Sequence, residues 1–168
     1  HLLLDVQVQL GKYAEARQTS QESLHSASTL INLDPENNEW RWSFGIANYW
    51  DAMLASEEKA ERSAVAESIL QTMHEIEPES EAKTRWFARS LVLHGRSRLA
   101  QQQIEFALSK AEQAHELLDP FWQAEANEST RIALAGTMIL QGESLFQLGD
   151  PDAARETWSL ALDLLADD

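Results

Sequence analysis

Apolar residues recur along most of the chain at the spacing of an α-helix, and the clearest example is the segment from Glu39 to Leu54. Four of its side chains fall at positions i, i+4, i+7 and i+11, which is one stripe of a helix: Trp42, Ile46, Tyr49 and Met53. Further apolar residues lie on neighbouring faces: Trp40, Phe44, Ala47 and Trp50. The pattern predicts a helix that is apolar over most of its circumference.

Proline divides the helical pattern at regular intervals. Three matching motifs are separated by 43 and 42 residues: Leu33-Asp34-Pro35, Ile76-Glu77-Pro78 and Leu118-Asp119-Pro120. Proline at the first position of a helix costs no hydrogen bond, and an acidic residue before it can cap the free N–H groups. The residue before proline is also pushed out of helical geometry. Each motif is therefore predicted to end one helix and begin the next.

Glycine supplies a second set of helix ends. Gly11, Gly95 and Gly149 are each predicted to end a helix in the left-handed conformation that glycine adopts without strain. An alanine follows each glycine by five positions: Ala16, Ala100 and Ala154. A small side chain there would let two antiparallel helices approach closely.

Together these signals predict an all-α fold. The expected helices lie near residues 1–10, 13–33, 36–55, 60–76, 80–94, 97–118, 122–147 and 151–166, and they form four antiparallel hairpins. A single array would then consist of units near 1–34, 35–77, 78–119 and 120–168. The segment 121–130, FWQAEANEST, is expected to be a broken or unusually long helix. The apolar opening HLLLDVQVQL and the acidic pair Asp167-Asp168 suggest a fragment of a larger protein.

The repeated motifs resemble the tetratricopeptide repeat, in which Leu-Gly and Tyr on a first helix are followed by Ala, Phe, Ala and Pro on a second. The best matches are Phe87-Ala88-x-x-Leu91, Gly95 and Ala100-x-x-x-Ile104-x-x-Ala107, then Gly142-x-x-Leu145, Gly149 and Ala154-x-x-x-Trp158-x-x-Ala161. Phe44-Gly45 with Ala66, Leu70 and Met73 matches less closely, and the first unit keeps only Gly11, Tyr13 and Ala16. The spacing here exceeds the family's period of about 34 residues. This longer form is similar to arrays attached to bacterial signalling proteins.

The resemblance implies a right-handed superhelix (solenoid) with a concave groove that is lined by the first helix of each hairpin. Its alignment puts Trp42, Ile46 and Tyr49 at groove positions, where exposed aromatic residues would anchor a bound segment. Core packing is the competing interpretation for this aromatic helix. Six further groove candidates follow along the chain: Arg85, Arg89, Val92, Ile139, Glu143 and Phe146.

Charge narrows the classes of partner. The chain has 13 basic and 28 acidic residues, a formal net charge of −15, which would repel nucleic acid and anionic membrane surfaces. Its apolar runs are too short to cross a bilayer, and it has no cysteine, so disulfides and thiolate metal sites are excluded. We expect a cytoplasmic protein whose partner is basic or neutral.

A basic cluster stands out against this acidic background. Five of the 13 basic residues lie within 16 positions: Lys83, Arg85, Arg89, Arg96 and Arg98. Helical spacing puts Arg85, Arg89 and Arg96 on one face with Val92. One interpretation is that the cluster forms ion pairs with Glu75, Glu79 and Glu81. The other is an anion-accepting spot that takes a carboxylate or phosphate through forked guanidinium contacts.

The sequence contains few signs of a catalytic site. The five histidines show no metal-binding spacing, and the chain lacks a phosphate-binding glycine loop or a nucleophile motif. We therefore expect no enzyme activity, no cofactor and no metal. The leading hypothesis is a protein-interaction scaffold that binds a peptide or protein segment. The alternatives are a structural or oligomerisation spacer, and a regulatory domain that senses a ligand in a larger bacterial signalling protein.

Overall fold

The structure is a computed structural model that describes residues 2–125 and 127–166 of the chain. Within these residues it contains α-helices and no strand, as predicted. The helices are α1 (Leu2–Gln9), α2 (Tyr13–Leu33), α3 (Asn38–Leu54), α4 (Lys59–Ile76), α5 (Glu81–Leu99), α6 (Ile104–Ala124), α7 (Glu128–Gln147) and α8 (Pro151–Ala166). The terminal pair Asp167-Asp168 and His1 lie outside the described residues.

The chain divides into two compact units, the first ending at Ile76 and the second beginning at Glu77. In the first unit α2 packs against α1 and α3, and α3 packs against α4. In the second unit each helix from α5 to α8 packs against the next one, and α5 also packs against α7. Each unit is thus built from helices that pack against their neighbours in the sequence.

Two of the three proline motifs separate helices as predicted, but the proline does not begin the next helix. Pro35 and Pro78 lie in the connections before α3 and α5, which begin at Asn38 and Glu81. The Asn37 side chain caps α3 by accepting a hydrogen bond from the Trp40 N–H at 3.1 Å. Only Pro151, outside the three motifs, occupies the first position of a described helix.

The prediction that Pro120 ends a helix is wrong. Pro120 lies inside α6, which continues to Ala124 and is closed by the Glu125 N–H bonded to the Phe121 carbonyl. A proline inside a helix removes one hydrogen bond. Apolar packing opposes this loss, because Leu118 is fully buried before the proline and Trp122 is half-buried after it. The segment 121–130 therefore contains the end of α6 and the start of α7.

Glycine ends two helices in the predicted way. Gly11 and Gly149 have φ values of 70° and 88° in the connections after α1 and α7. Gly95 does not: it is buried within α5, which runs on to Leu99, and the residue with positive φ after this helix is Gln102. Ala100 is consequently exposed at the end of α5, and the alanine against which Gly95 packs is Ala107.

Three glycines inside helices permit close contact with a neighbouring helix. A Cβ atom on Gly45 of α3 would lie 2.9 Å from Leu70 of α4, and one on Gly142 of α7 would lie 2.3 Å from Nε1 of Trp158 on α8. For Gly95 of α5 the corresponding distance is 2.7 Å, to Leu140 of α7. Real Cβ atoms do not approach other atoms this closely, so a larger residue at any of these positions would force the neighbouring side chain to move.

Each unit has its own apolar core. In the first unit the fully buried large side chains are Ile46 and Trp50 of α3 with Leu70 and Met73 of α4. In the second unit a buried cluster joins α5, α6 and α7 and consists of Leu99, Ala107, Ala111 and Leu140, with Val92 and Ile104 packed against it. This cluster holds α5 and α7 at fixed positions.

The two glycines of α7 offer a matched test of this packing. We expect Gly142→Ala to lower the free energy of unfolding by about 1–3 kcal/mol, since Trp158 must move to admit the new methyl group. Gly136→Ala should raise it by about 0.5–1 kcal/mol, because no atom lies within 4 Å of its Cβ position and alanine favours the helix. Urea unfolding measures both changes. Effects of the same sign would contradict the close contact at Gly142.

Candidate functional site

The second unit presents one surface on which several predicted site residues meet. We define the α5–α7 face as two stripes, Arg85, Arg89, Val92 and Arg96 on α5, and Ile132, Gly136, Ile139 and Glu143 on α7. Residues within each stripe are three or four positions apart, so they share one side of their helix. α5 packs directly against α7, with Asn127 bonded to Glu81 near the start of both helices and with Arg96 and Glu143 lining one cavity nearer their ends.

Arg85 lies at one end of this face and takes part in a polar network. Its guanidinium donates to Oε1 of Glu81 at 3.0 Å. The same oxygen accepts hydrogen bonds from the Asn127 amide at 2.6 Å and from the Thr130 hydroxyl. Asn127 is also the N-cap of α7, since its side chain accepts from the Thr130 N–H at 3.0 Å. Glu81 thus fixes the start of α7 against the start of α5.

The members of the basic cluster make several kinds of contact. The Arg85–Glu81 pair was predicted, whereas buried Lys83 pairs with Glu77, which was not among the expected partners. Arg89 is half-buried with its guanidinium 4.5 Å from the ring centroid of Trp86. Arg98 donates to His94 at 3.1 Å. The ion-pair interpretation is thus confirmed for Arg85 with Glu81, and Lys83 forms an ion pair with a different glutamate.

Arg96 occupies the opposite end of the α5–α7 face and is exposed. It lines an open cavity of about 480 Å³ together with Glu143 and Gln147 of α7 and with the end of α5. Within the described part of the chain Arg96 makes no ion pair. Its forked N–H donors are thus available to a carboxylate of a bound molecule.

The α7 stripe adds apolar surface beside these cations. Ile132 is 54% exposed, Ile139 is half-buried, and Gly136 between them leaves open space at its Cβ position. Phe146, 57% exposed, continues the stripe but its ring lies 5.9 Å from that of Trp158 on α8. A shallow apolar strip with a gap at Gly136 can accept a bulky apolar side chain.

The three site candidates of the first unit are less accessible. Ile46 is 2% and Tyr49 is 7% exposed, and the Tyr49 ring meets that of Trp50 edge to face at 5.7 Å. Trp42 is half-buried. A bound segment could touch Trp42 directly, while Ile46 and Tyr49 support α3 from within the core.

Several residues that belong to the α5–α7 face or hold its helices together were not predicted from the sequence. Asn127 and Thr130 contact Glu81 across 46 and 49 positions of the chain. The Asn-Glu-Ser-Thr stretch does signal a helix start, but no local pattern shows that its cap also binds α5. The exposure of Ile132 and the gap at Gly136 likewise depend on which side of α7 is covered.

Neither a metal-binding group nor a membrane-spanning helix occurs in the residues that the structure describes. No group of three or more His, Cys, Asp or Glu side chains there could hold a metal ion. None of the helices in these residues is both long enough and apolar enough to cross a membrane.

No protein-family model matches the chain, and no curated protein sequence matches it.

The polar network around Glu81 makes its carboxyl group more acidic. Hydrogen bonds from Thr130 and then Asn127, together with Arg85, lower the pKa of Glu81 from its ordinary value of 4.5. The resulting stability is fully present above the unfolded-state pKa, and it is lost as the pH falls through the lower folded-state pKa. Thr130→Val should therefore raise the pKa of Glu81, as measured by NMR of the carboxyl carbons.

The control is Thr157→Val on α8, whose hydroxyl donates only to the Ala153 carbonyl. This substitution should leave the pKa of Glu81 unchanged. The network would be disproved if Glu81 titrated identically in the wild-type protein and in Thr130→Val.

Proposed function

We propose that the chain is a protein-interaction module that binds a peptide or protein segment on the α5–α7 face. The observation that carries this proposal is that exposed Arg96 on α5 and exposed Ile132 on α7 belong to two helices that pack against each other, in a chain of net charge −15. Interaction surfaces commonly combine apolar anchors with arginine.

The surface chemistry indicates what the bound segment presents. Ile132, the gap at Gly136 and Ile139 suit a bulky apolar side chain, and burying such a side chain contributes about 1.5–3 kcal/mol. Arg89 and Arg96 suit a carboxylate next to it. The negative charge of the whole chain favours a partner that is basic or neutral overall. The proposed partner therefore displays a local carboxylate on a segment that is not itself strongly acidic.

The proposal includes the tetratricopeptide-like character of the array. The helices that pack in sequence order, the glycines at their close contacts and the buried Ala107 and Ala154 support it. The resemblance further implies right-handed superhelical stacking, a cytoplasmic location and a binding role without enzyme activity or cofactor. These properties belong to the same hypothesis.

Charge reversal tests the proposed surface. Peptides selected from a random display library on the wild-type protein should bind Arg96→Glu at least about tenfold more weakly, because the variant repels the carboxylate that Arg96 attracts. Arg89→Glu should act in the same direction. Fluorescence anisotropy with labelled peptides gives the dissociation constants.

Arg155→Glu is the matched control, since Arg155 is an exposed arginine of α8 that pairs with Asp152. Arg155→Glu changes the net charge by the same amount as Arg96→Glu, but at a position outside the α5–α7 face. Equal losses of affinity in Arg96→Glu and Arg155→Glu would show that only overall charge matters, and the proposed surface would then be incorrect.

Exposed apolar residues favour self-association as a second candidate function. Leu3 and Val6 of α1, Leu10 directly after α1, and Leu160, Leu162 and Leu165 of α8 are all exposed. Such surfaces commonly mark protein contacts. Light scattering over a hundredfold range of protein concentration should then show a dimer or larger species that Leu162→Glu disrupts. A monomeric mass throughout that range would exclude this function.

A further inference from the structure

A second cavity of the second unit lies apart from the α5–α7 face. It is formed by α6, α7 and α8, has a volume of about 510 Å³ and shares no lining residue with that face. Small-molecule sites in proteins usually measure about 300–1,000 Å³. The cavity therefore has the size of a ligand site.

The unexpected continuation of α6 builds one wall of this cavity. Because α6 does not end at Pro120, its last turn reaches Ala124 and carries Trp122 and Gln123 to the lining. Asp119 and His115 line the same wall one and two turns earlier. Had the helix ended at Leu118, as the proline motif predicts, the indole of Trp122 would have no helical support there.

The opposite walls are largely apolar. Leu134 and Met138 come from α7, and Leu160 and Leu164 come from α8. Leu134 is buried, while Leu160 is half exposed, so the lining runs from the core out to the surface. A ligand that enters here would place an apolar body between α7 and α8.

Two of the polar groups of the cavity are carboxylates, and the Gln123 amide donates a hydrogen bond to Oδ1 of Asp119 at 3.4 Å. Asp119 and Asp163 both line it, and no lysine or arginine belongs to its lining among the described residues. Nδ1 of His115, another lining residue, is buried and makes no hydrogen bond to the part of the chain described here. Such a lining attracts a positive charge that can donate hydrogen bonds.

We propose that this cavity binds a small organic cation, an ammonium group attached to an aromatic or alkyl body. The apolar body packs against Met138, Leu160 and Leu164. The ammonium group lies near Asp119 and Asp163, where the indole of Trp122 adds a cation–π attraction. This site is independent of the proposed peptide surface and extends the molecule's function to sensing a ligand.

Isothermal titration calorimetry with phenethylammonium tests the charge and the apolar body together. We expect saturable binding of phenethylammonium and at least about tenfold weaker binding of two matched probes. The probe 3-phenylpropionate keeps the ring but reverses the charge, and ethylammonium keeps the charge without the ring. Equal affinity for phenethylammonium and 3-phenylpropionate, or no saturable heat at millimolar concentration, would overturn the proposal.

Variants of matched charge locate the site. Asp119→Asn with Asp163→Asn should weaken phenethylammonium binding about tenfold, because both carboxylates that attract the ammonium group are neutralised. Glu105→Gln with Glu116→Gln changes the net charge equally at exposed positions of α6 outside the cavity, and should leave binding unchanged. Equal weakening in the two double variants would place the binding elsewhere.

Fluorescence supplies a readout that does not depend on the carboxylates. Phenethylammonium should change the tryptophan emission of the wild-type protein, and Trp122→Phe should remove most of that change while its far-ultraviolet circular dichroism stays helical. Full retention of the change in Trp122→Phe would contradict the proposed site.

Arg96→Glu should bind phenethylammonium as the wild-type protein does. An experiment that rules out the peptide surface therefore leaves the cavity proposal standing, and the reverse also holds.

Discussion

Close contact between helices at positions without a bulky side chain is the constraint on which this structure depends. Gly45 faces Leu70, Gly95 faces Leu140 and Gly142 faces Trp158, each at a distance that a Cβ atom would not permit. Alanines on α6 and α8, such as Ala107 and Ala154, are also fully buried. Small residues bring the helix axes together, and the larger side chains then fill the space on either side.

The α5–α7 face follows from this packing. The core cluster around Leu99, Ala107 and Leu140 places α5 beside α7, and the Glu81 network aligns the starts of the two helices. Side chains on the uncovered side of both helices are then held at fixed positions. A surface preorganised in this way loses less conformational entropy when a partner binds.

Electrostatics distinguishes the two candidate sites of the second unit. On the α5–α7 face the charge is that of exposed Arg96, which the proposed function pairs with a local carboxylate of the partner. In the cavity of α6, α7 and α8 the charges are those of Asp119 and Asp163, which favour a cation. The two candidate sites of the second unit thus carry side chains of opposite charge. Charge reversal at one site is expected to leave binding at the other unchanged.

The sequence by itself determined the helical class, most helix bounds and the turns at Gly11 and Gly149, because periodicity and backbone preference act over a few residues. Tertiary structure decided that the helices continue through Pro120 and Gly95. Packing around buried neighbours such as Leu118 and Leu140 outweighed the local signals for a helix end there. It also decided which predicted groove residues are accessible: Ile46 and Tyr49 are buried and Phe146 is exposed. Asn127 and Glu81 meet only through packing, since a contact across 46 positions leaves no local pattern in the chain.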